Sequence, residues 1–204
     1  MFITLEGIDG SGKSTQAELL TEKIRSVRGE EGVIWTKEPG GWPGGDSLRK
    51  VLLEGSLHHP LTEVFLFLAD RCEHVEQVIL PALAAGKIVV CERYSDSTVA
   101  YQWGGRGIER GKIEGLLSWA SFPSPDITFW IDLPAEKAYD RMVSRGSPRD
   151  RLESEGLSFL SRVRQGFCIL AEENPDRIVP VDGDGRADLI ASEIYRKVEE
   201  YFFP

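Results

Sequence analysis

The sequence predicts an α/β fold: a parallel sheet of about five strands in a three-layer arrangement, with helices on both faces. Three observations carry this. Residues 7–14 match G-x-x-x-x-G-K-[ST] at every fixed position. A short apolar run precedes that loop and a helical pattern follows it. From there to the end of the chain, short apolar runs alternate with helix-length segments, the order that builds a parallel sheet covered on both sides. At 204 residues and 41% hydrophobic content, the chain suits one domain, residues 1–204, with material for a proper core.

Phe2-Ile3-Thr4-Leu5 reads as a buried strand and residues 13–27 as a helix. The loop between them has the chemistry of a phosphate cradle. Its glycines let backbone N–H groups turn inward, and the helix start adds free donors and the positive end of its dipole. Lys13 would reach the outer phosphates and the Ser14 hydroxyl a Mg²⁺ ion. A chance glycine-rich turn is the plainer alternative, and the strand-loop-helix context argues against it. The chain therefore reads as a P-loop nucleotide-binding protein.

Val33-Ile34-Trp35-Thr36 is the second strand. Lys37-Glu38-Pro39-Gly40-Gly41 and Trp42-Pro43-Gly44-Gly45 form a loop, because so many glycines and prolines suit neither strand nor helix interiors. Residues 46–53 resume a helix carrying Arg49. Residues 61–85 read as one long helix, bent near Pro81, with Val64, Phe65, Leu68 and Cys72 sharing an apolar face and Phe67 and Arg71 on a neighbouring one. Ile88-Val89-Val90-Cys91 is the clearest buried strand and delivers Glu92-Arg93-Tyr94 to the ligand edge of the sheet. Helices follow at 95–102 and 112–121, then strand 127–131, a helix from Pro134 to about 144, and a helix at 157–173. An edge strand at 178–182 contains Pro180, and a helix at 186–201 closes the chain. Between 145 and 151 stand three arginines with a glycine and a proline: a solvated loop, or an arginine lid over phosphates.

Composition narrows the function. Net charge is −9 with no long basic run, which argues against nucleic acid as a partner. Cys72, Cys91 and Cys168 form no C-x-x-C pair and read as reduced thiols. His58, His59 and His74 lack partners at metal-ligand spacing and are expected on the surface or in loops. No apolar run is long enough for a membrane span, and the first residues run straight into a strand without a signal peptide. These features predict a cytoplasmic chain.

GTPase switches need [NT]-K-x-D, and no lysine here is followed two residues later by Asp. Asp182-Gly183-Asp184-Gly185 satisfies D-x-x-G but follows the last strand. Small-molecule kinases need a second cationic cluster for the acceptor, and Arg49, Arg71 and Arg93 come from three segments near the sheet edge. An ATP-binding regulatory module without an acceptor has no use for those arginines.

At this point the sequence resembles the bacterial thymidylate kinases over nearly its whole length. The marks are Phe2-Ile3-Thr4-Leu5-Glu6-Gly7-Ile8-Asp9-Gly10-Ser11-Gly12-Lys13-Ser14-Thr15, Thr36-Lys37-Glu38-Pro39-Gly40-Gly41, and Phe67 with Arg71. They continue with Glu92-Arg93-Tyr94-Ser95-Asp96-Ser97-Thr98-Val99-Ala100-Tyr101-Gln102 and Pro125-Asp126-Ile127-Thr128.

The resemblance implies ATP as donor, dTMP as acceptor, Mg²⁺ as cofactor and a homodimer paired through helices. It implies that Gly7, Ile8, Asp9, Gly10, Ser11, Gly12, Lys13, Ser14 and Thr15 hold ATP. Phe67 would stack on thymine, Arg71 recognise the base, and Gln102 and Thr98, with Ser97 beside them, meet its edge. Tyr101 would crowd a 2′-hydroxyl and Asp9 sit near the 3′-hydroxyl. Arg93 would bridge the two nucleotides, with Arg49 and the Glu38-Pro39 turn completing the acceptor pocket. Lys13, Arg93, Arg145 and Asp9 form the implied catalytic set; Ser14 and Glu92 the metal set. Two positions depart from the family pattern: Lys37 replaces an arginine, losing its two-pronged geometry, and Glu92 replaces an aspartate. Some members carry a catalytic arginine in the phosphate loop where this chain has Gly10. Members without it place the arginine in the lid, here about residues 145–156, at the position of Arg145. Arg149 and Arg151 would support it.

Overall fold

The computed structural model describes residues 1–146 and 150–202. Strand β1 (Phe2–Glu6) runs into the phosphate loop and helix α1 (Lys13–Arg28). Strand β2 (Val33–Lys37) and helices α2 (Gly45–Glu54), α3 (Pro60–His74) and α4 (Leu80–Ala84) lead to β3 (Ile88–Glu92). Helices α5 (Ser95–Val99) and α6 (Arg110–Ala120), strand β4 (Ile127–Asp132), helices α7 (Ala135–Ser144) and α8 (Leu157–Glu173), strand β5 (Ile178–Asp182) and helix α9 (Ala187–Phe202) complete the order. The sheet order is β2-β3-β1-β4-β5, parallel throughout. Pro180 lies on an edge strand, where its missing N–H breaks no ladder.

Alternation along β1 sorts the two layers. Ile3 and Leu5 face α1 and α9, where Ala17, Leu20, Ile24, Ile190, Ile194 and Val198 close a core. Phe2 faces the other side with Val89 and Cys91, against Val75, Ile79 and Tyr94. Trp130 and Ile178 on that side pack with Phe159, Val163 and Phe167 of α8. Helix α8 comes close because of glycine: a Cβ on Gly105 would meet the Phe159 ring at 2.6 Å.

Three expectations change. The helix expected over 61–85 is wound as a π-helix at Val75–Ile79. Pro81 has no N–H for the Gln77 carbonyl, and the wide turn falls there. The helix expected over 95–102 ends at Val99 and continues as a π-helix, Ala100–Gly105, that carries Tyr101 and Gln102; such turns often mark functional sites. Val64 leaves the apolar face expected on α3: it is buried, while Phe65 is 53% exposed and Cys72 is exposed. The buried residues of α3 are mostly polar: Glu63, Asp70, Arg71 and His74, beside Val64.

Candidate active site

The C-terminal ends of β1, β2 and β3 open onto a cavity of about 660 Å³. From the phosphate loop and α1, Asp9, Gly10, Gly12, Lys13, Ser14 and Thr15 line it. Glu38, Pro39, Arg49, Phe67 and Arg71 line it from the β2–α3 side. Arg93, Ser97, Thr98, Tyr101 and Gln102 come from the segment after β3, and Arg145 from the end of α7. Gly7, Ile8 and Ser11 form the back of the loop: a Cβ on Gly7 would meet the Ile131 carbonyl oxygen at 2.7 Å, and Ile8 is 1% exposed.

Gly10 and Gly12 sit at φ 81° and 102°, a left-handed backbone that side chains resist. The Lys13 ammonium donates to the Ile8 carbonyl at 2.8 Å. Burial, with Arg93 close by, brings its pKa down to about 8. Helix α7 lies directly over Gly10, where a Cβ would meet the Ala138 carbonyl oxygen at 2.4 Å. An arginine at this point of the loop has no room here, while the same helix ends at Arg145 on the cavity wall.

Arg93 joins the two halves of the cavity. Its backbone is held at φ 64° by its N–H to the Leu5 carbonyl at 3.0 Å. Its guanidinium donates to the Gly7 carbonyl at 3.0 Å and Asp9 Oδ1 at 2.5 Å on the loop side. On the other side it donates to Ser97 Oγ at 3.1 Å and the Tyr101 hydroxyl at 3.0 Å. Tyr101 in turn donates to Asp9 Oδ2 at 2.8 Å. Burial alone would raise the Asp9 carboxyl, but Arg93 and Lys13 outweigh it and hold the pKa at about 2. Asp9 is thus an anion, and Arg93 a cation with its pKa raised by Asp9 against the effect of burial.

The β2–α3 side of the cavity rests on a buried ion pair. Arg71, 1% exposed, donates to Glu38 Oε2 at 2.8 Å and to Thr98 Oγ1 at 3.0 Å. Glu38 Oε1 lies 2.9 Å from His74 Nδ1, and His74 Nε2 lies 2.6 Å from Thr36 Oγ1. His74 is therefore no surface residue. It is fully buried and braces the carboxylate that aims Arg71; removing one partner of such a buried pair typically costs about 3–5 kcal/mol. Arg49 donates to the Pro39 carbonyl at 2.7 Å. Lys37 is exposed at the cavity rim.

Ser14 Oγ donates to Glu92 Oε2 at 2.5 Å, and Trp35 Nε1 to Glu92 Oε1 at 2.9 Å. A hydroxyl and a carboxylate side by side are hard oxygen donors and fit Mg²⁺, which is commonly held by one or two such groups plus phosphates and water. Among the described residues no group of three or more His, Cys, Asp or Glu forms a cage.

Arg145 ends α7 half-exposed and donates to Glu153 Oε1 at 2.6 Å; this contact raises its pKa. Arg151 departs from its expected place on ATP. It is absent from the cavity wall and donates to the Leu52 carbonyl at 2.9 Å and to Glu63 Oε2 at 2.6 Å. Two nearer acceptors, one a buried carboxylate, claim its guanidinium. Arg149 lies outside the described residues.

Sequence reasoning missed Glu6, Glu63 and His74. Buried Glu6 accepts from the Tyr94 N–H at 2.7 Å and from Ser97 Oγ at 2.5 Å, so it braces the turn that presents Arg93. Burial and nearby Asp96 raise its pKa to about 7. A signal for the other two was available: Glu63, Phe67, Arg71 and His74 follow at three-to-four spacing on one helix face.

The thymidylate kinase family profile matches residues 5–194. A thymidylate kinase of Synechococcus sp. (strain JA-2-3B'a(2-13)) is 47% identical over 202 residues, covering 98% of this chain and 94% of that protein. One from Magnetococcus marinus is 42% identical, covering 99% and 97%. The crystal structure of thymidylate kinase from Ehrlichia chaffeensis superposes with a TM-score of 0.81 at 36% identity, covering 98% of both chains. On a family match that spans both halves of the cavity, and on relatives aligned almost end to end, the chain belongs to the thymidylate kinase family.

Proposed function

We propose that this chain transfers the γ-phosphoryl group of ATP to dTMP, giving dTDP and ADP, by in-line attack without a covalent intermediate. The observation that carries this is Arg93, one guanidinium bonded at once to the phosphate loop, through Gly7 and Asp9, and to the acceptor segment, through Ser97 and Tyr101. A cation in that place can neutralise two anionic nucleotides meeting tail to tail. The acceptor oxygen of dTMP is already anionic, so the reaction needs no general base; catalysis is positioning and charge neutralisation.

The phosphate loop and Lys13 hold the ATP phosphates; Phe67, Arg71, Thr98 and Gln102 hold the base; Arg93 and Arg49 hold the acceptor phosphate. Ser14 and Glu92 would hold Mg²⁺, which when bound neutralises charge on the donor phosphates. Arg145 exchanges Glu153 for the transferring phosphoryl group, and the segment of about 145–156, of which 147–149 lie outside the described residues, acts as a lid that excludes water. The crowding of α7 over Gly10 supports that assignment, since it leaves the lid as the place for the arginine.

Incubation with ATP, Mg²⁺ and dTMP should yield dTDP. In a substrate panel dTMP is preferred to dUMP, and UMP loses at least about 100-fold in kcat/KM, a ratio within reach of steric and polar mismatch in one pocket. The reason is Tyr101, pinned between Arg93 and Asp9, which in this reading crowds a 2′-hydroxyl. Equal turnover of UMP would overturn the pocket assignment.

The enzyme works as a cytoplasmic homodimer in this reading. Phe65 and Cys72 lie seven residues apart on the outer strip of α3, both exposed, and a second copy would cover them. Light scattering should then give about twice the 22.8 kDa chain mass; a mass equal to one chain at micromolar concentration rules the pairing out.

A further inference from the structure

Glu63 lies on α3, 3% exposed, one turn before Phe67. Its Oε1 accepts from Gln102 Nε2 at 2.6 Å and from Arg106 Nε at 3.4 Å. Its Oε2 accepts from Arg106 Nη2 at 3.2 Å and Arg151 Nη1 at 2.6 Å. Two guanidinium groups thus hold it as an anion, and its pKa is lowered although burial pushes the other way. An ionised carboxylate only accepts hydrogen bonds, so the Gln102 amide must turn its NH₂ toward Glu63. The amide oxygen is left over: Gln102 Oε1 is buried and has no partner among the described residues, while Gln102 lines the cavity.

We propose that Glu63 sets the hydrogen-bonding sense of Gln102 and thereby the class of base the cavity accepts. A base that presents an N–H donor to Gln102, as thymine does at N3, satisfies the lone oxygen. A base with an acceptor at that atom, as in cytosine, sets lone pair against lone pair. A site built to pair with one polar group rejects the analogue lacking it far more strongly than a shape mismatch does. Glu63 is in this account a positioning residue that acts through Gln102. The inference rests on the dTMP reading above.

The test compares wild type and Glu63→Gln on dTMP and dCMP. In the variant the two amides pair in either sense, and Gln102 can turn its NH₂ to the cavity. The ratio of kcat/KM for dTMP over dCMP is expected to fall by about tenfold or more, with the remaining discrimination coming from Arg71. A purely structural role would lower both activities together and leave the ratio within about twofold, which overturns the inference. Wild-type turnover of dTMP with an unmoved ratio sinks this inference alone; no wild-type turnover of dTMP sinks the reading beneath it as well. Should the variant fail to fold, the wild type with dTMP bound still decides. The Gln102 side-chain NH₂ signal is expected to stay protected from solvent exchange, and exchange at the rate of a surface glutamine overturns the proposal.

Discussion

Lys13→Met is expected to lower kcat by at least about 10²–10³-fold, the size of effect seen when one preorganised donor to developing charge is removed, while the protein melts no lower than wild type. The two halves of this expectation have one cause. Lys13 is 7% exposed, and burial beside Arg93 brings its pKa from 10.5 down to about 8. At neutral pH the folded chain still carries the ammonium, but holds its proton less tightly than the unfolded chain does. The sign follows from linkage: between about pH 8 and 10.5 the unfolded chain binds a proton that the folded chain has lost, so this penalty fades as pH rises, and at pH 7 it is fully present. Met keeps the length and apolar stem and removes the charge. The empty enzyme is relieved, and the ATP phosphates lose their cation. Function and stability pull against each other at such a residue. Calorimetry and an ADP-release assay on the same preparation separate the two effects. Turnover near the wild-type rate would remove the phosphate-loop argument; a melting temperature well below wild type would show that Lys13 is a structural prop.

Sequence carried the local features and lost the distant ones. The loop from Gly7 to Ser14 is legible because its chemistry needs fixed spacing within one turn. Strand β5 and helix α8 fall where their patterns put them, since apolar periodicity reports a local face. The same periodicity misread α3. It sought an apolar stripe and passed over the polar one, because the buried partners of that stripe come from β2, the loop after it and the π-helical turn. Nothing within α3 announces that Glu63 faces Gln102 or that His74 faces Glu38. Glu6 is a further case: it stands just past the apolar run with no signal of its own, and its work is done on Tyr94 and Ser97, far along the chain. Arg151 shows the limit of counting charges. Of the arginines clustered there, Arg151 is taken up by Glu63 and by the Leu52 carbonyl, partners far along the chain that the cluster itself does not announce.

Arg145→Ala is expected to lower kcat by about 10³-fold, in the range of an arginine that stabilises transferring phosphoryl charge, with KM for dTMP within about threefold of wild type. The residue sits on the cavity wall with its guanidinium on Glu153. Its side chain is 50% exposed, so the pair contributes on the order of 0–1 kcal/mol and the variant should fold normally. That separates Arg145 from Arg93, whose guanidinium ties together Gly7, Asp9, Ser97 and Tyr101; its removal would disturb binding, chemistry and fold at once. Arg145→Lys adds a second measurement. Lysine keeps the charge but not the planar fork, so it should restore part of the lost rate if the role is electrostatic, and almost none if two-pronged contact matters. Turnover of the alanine variant within about threefold of wild type would mean that the charge on the moving phosphoryl group is met by Arg93 and Lys13 alone. The crowding of Ala138 over Gly10 would then be a packing feature of α7 with no bearing on where the catalytic cation sits.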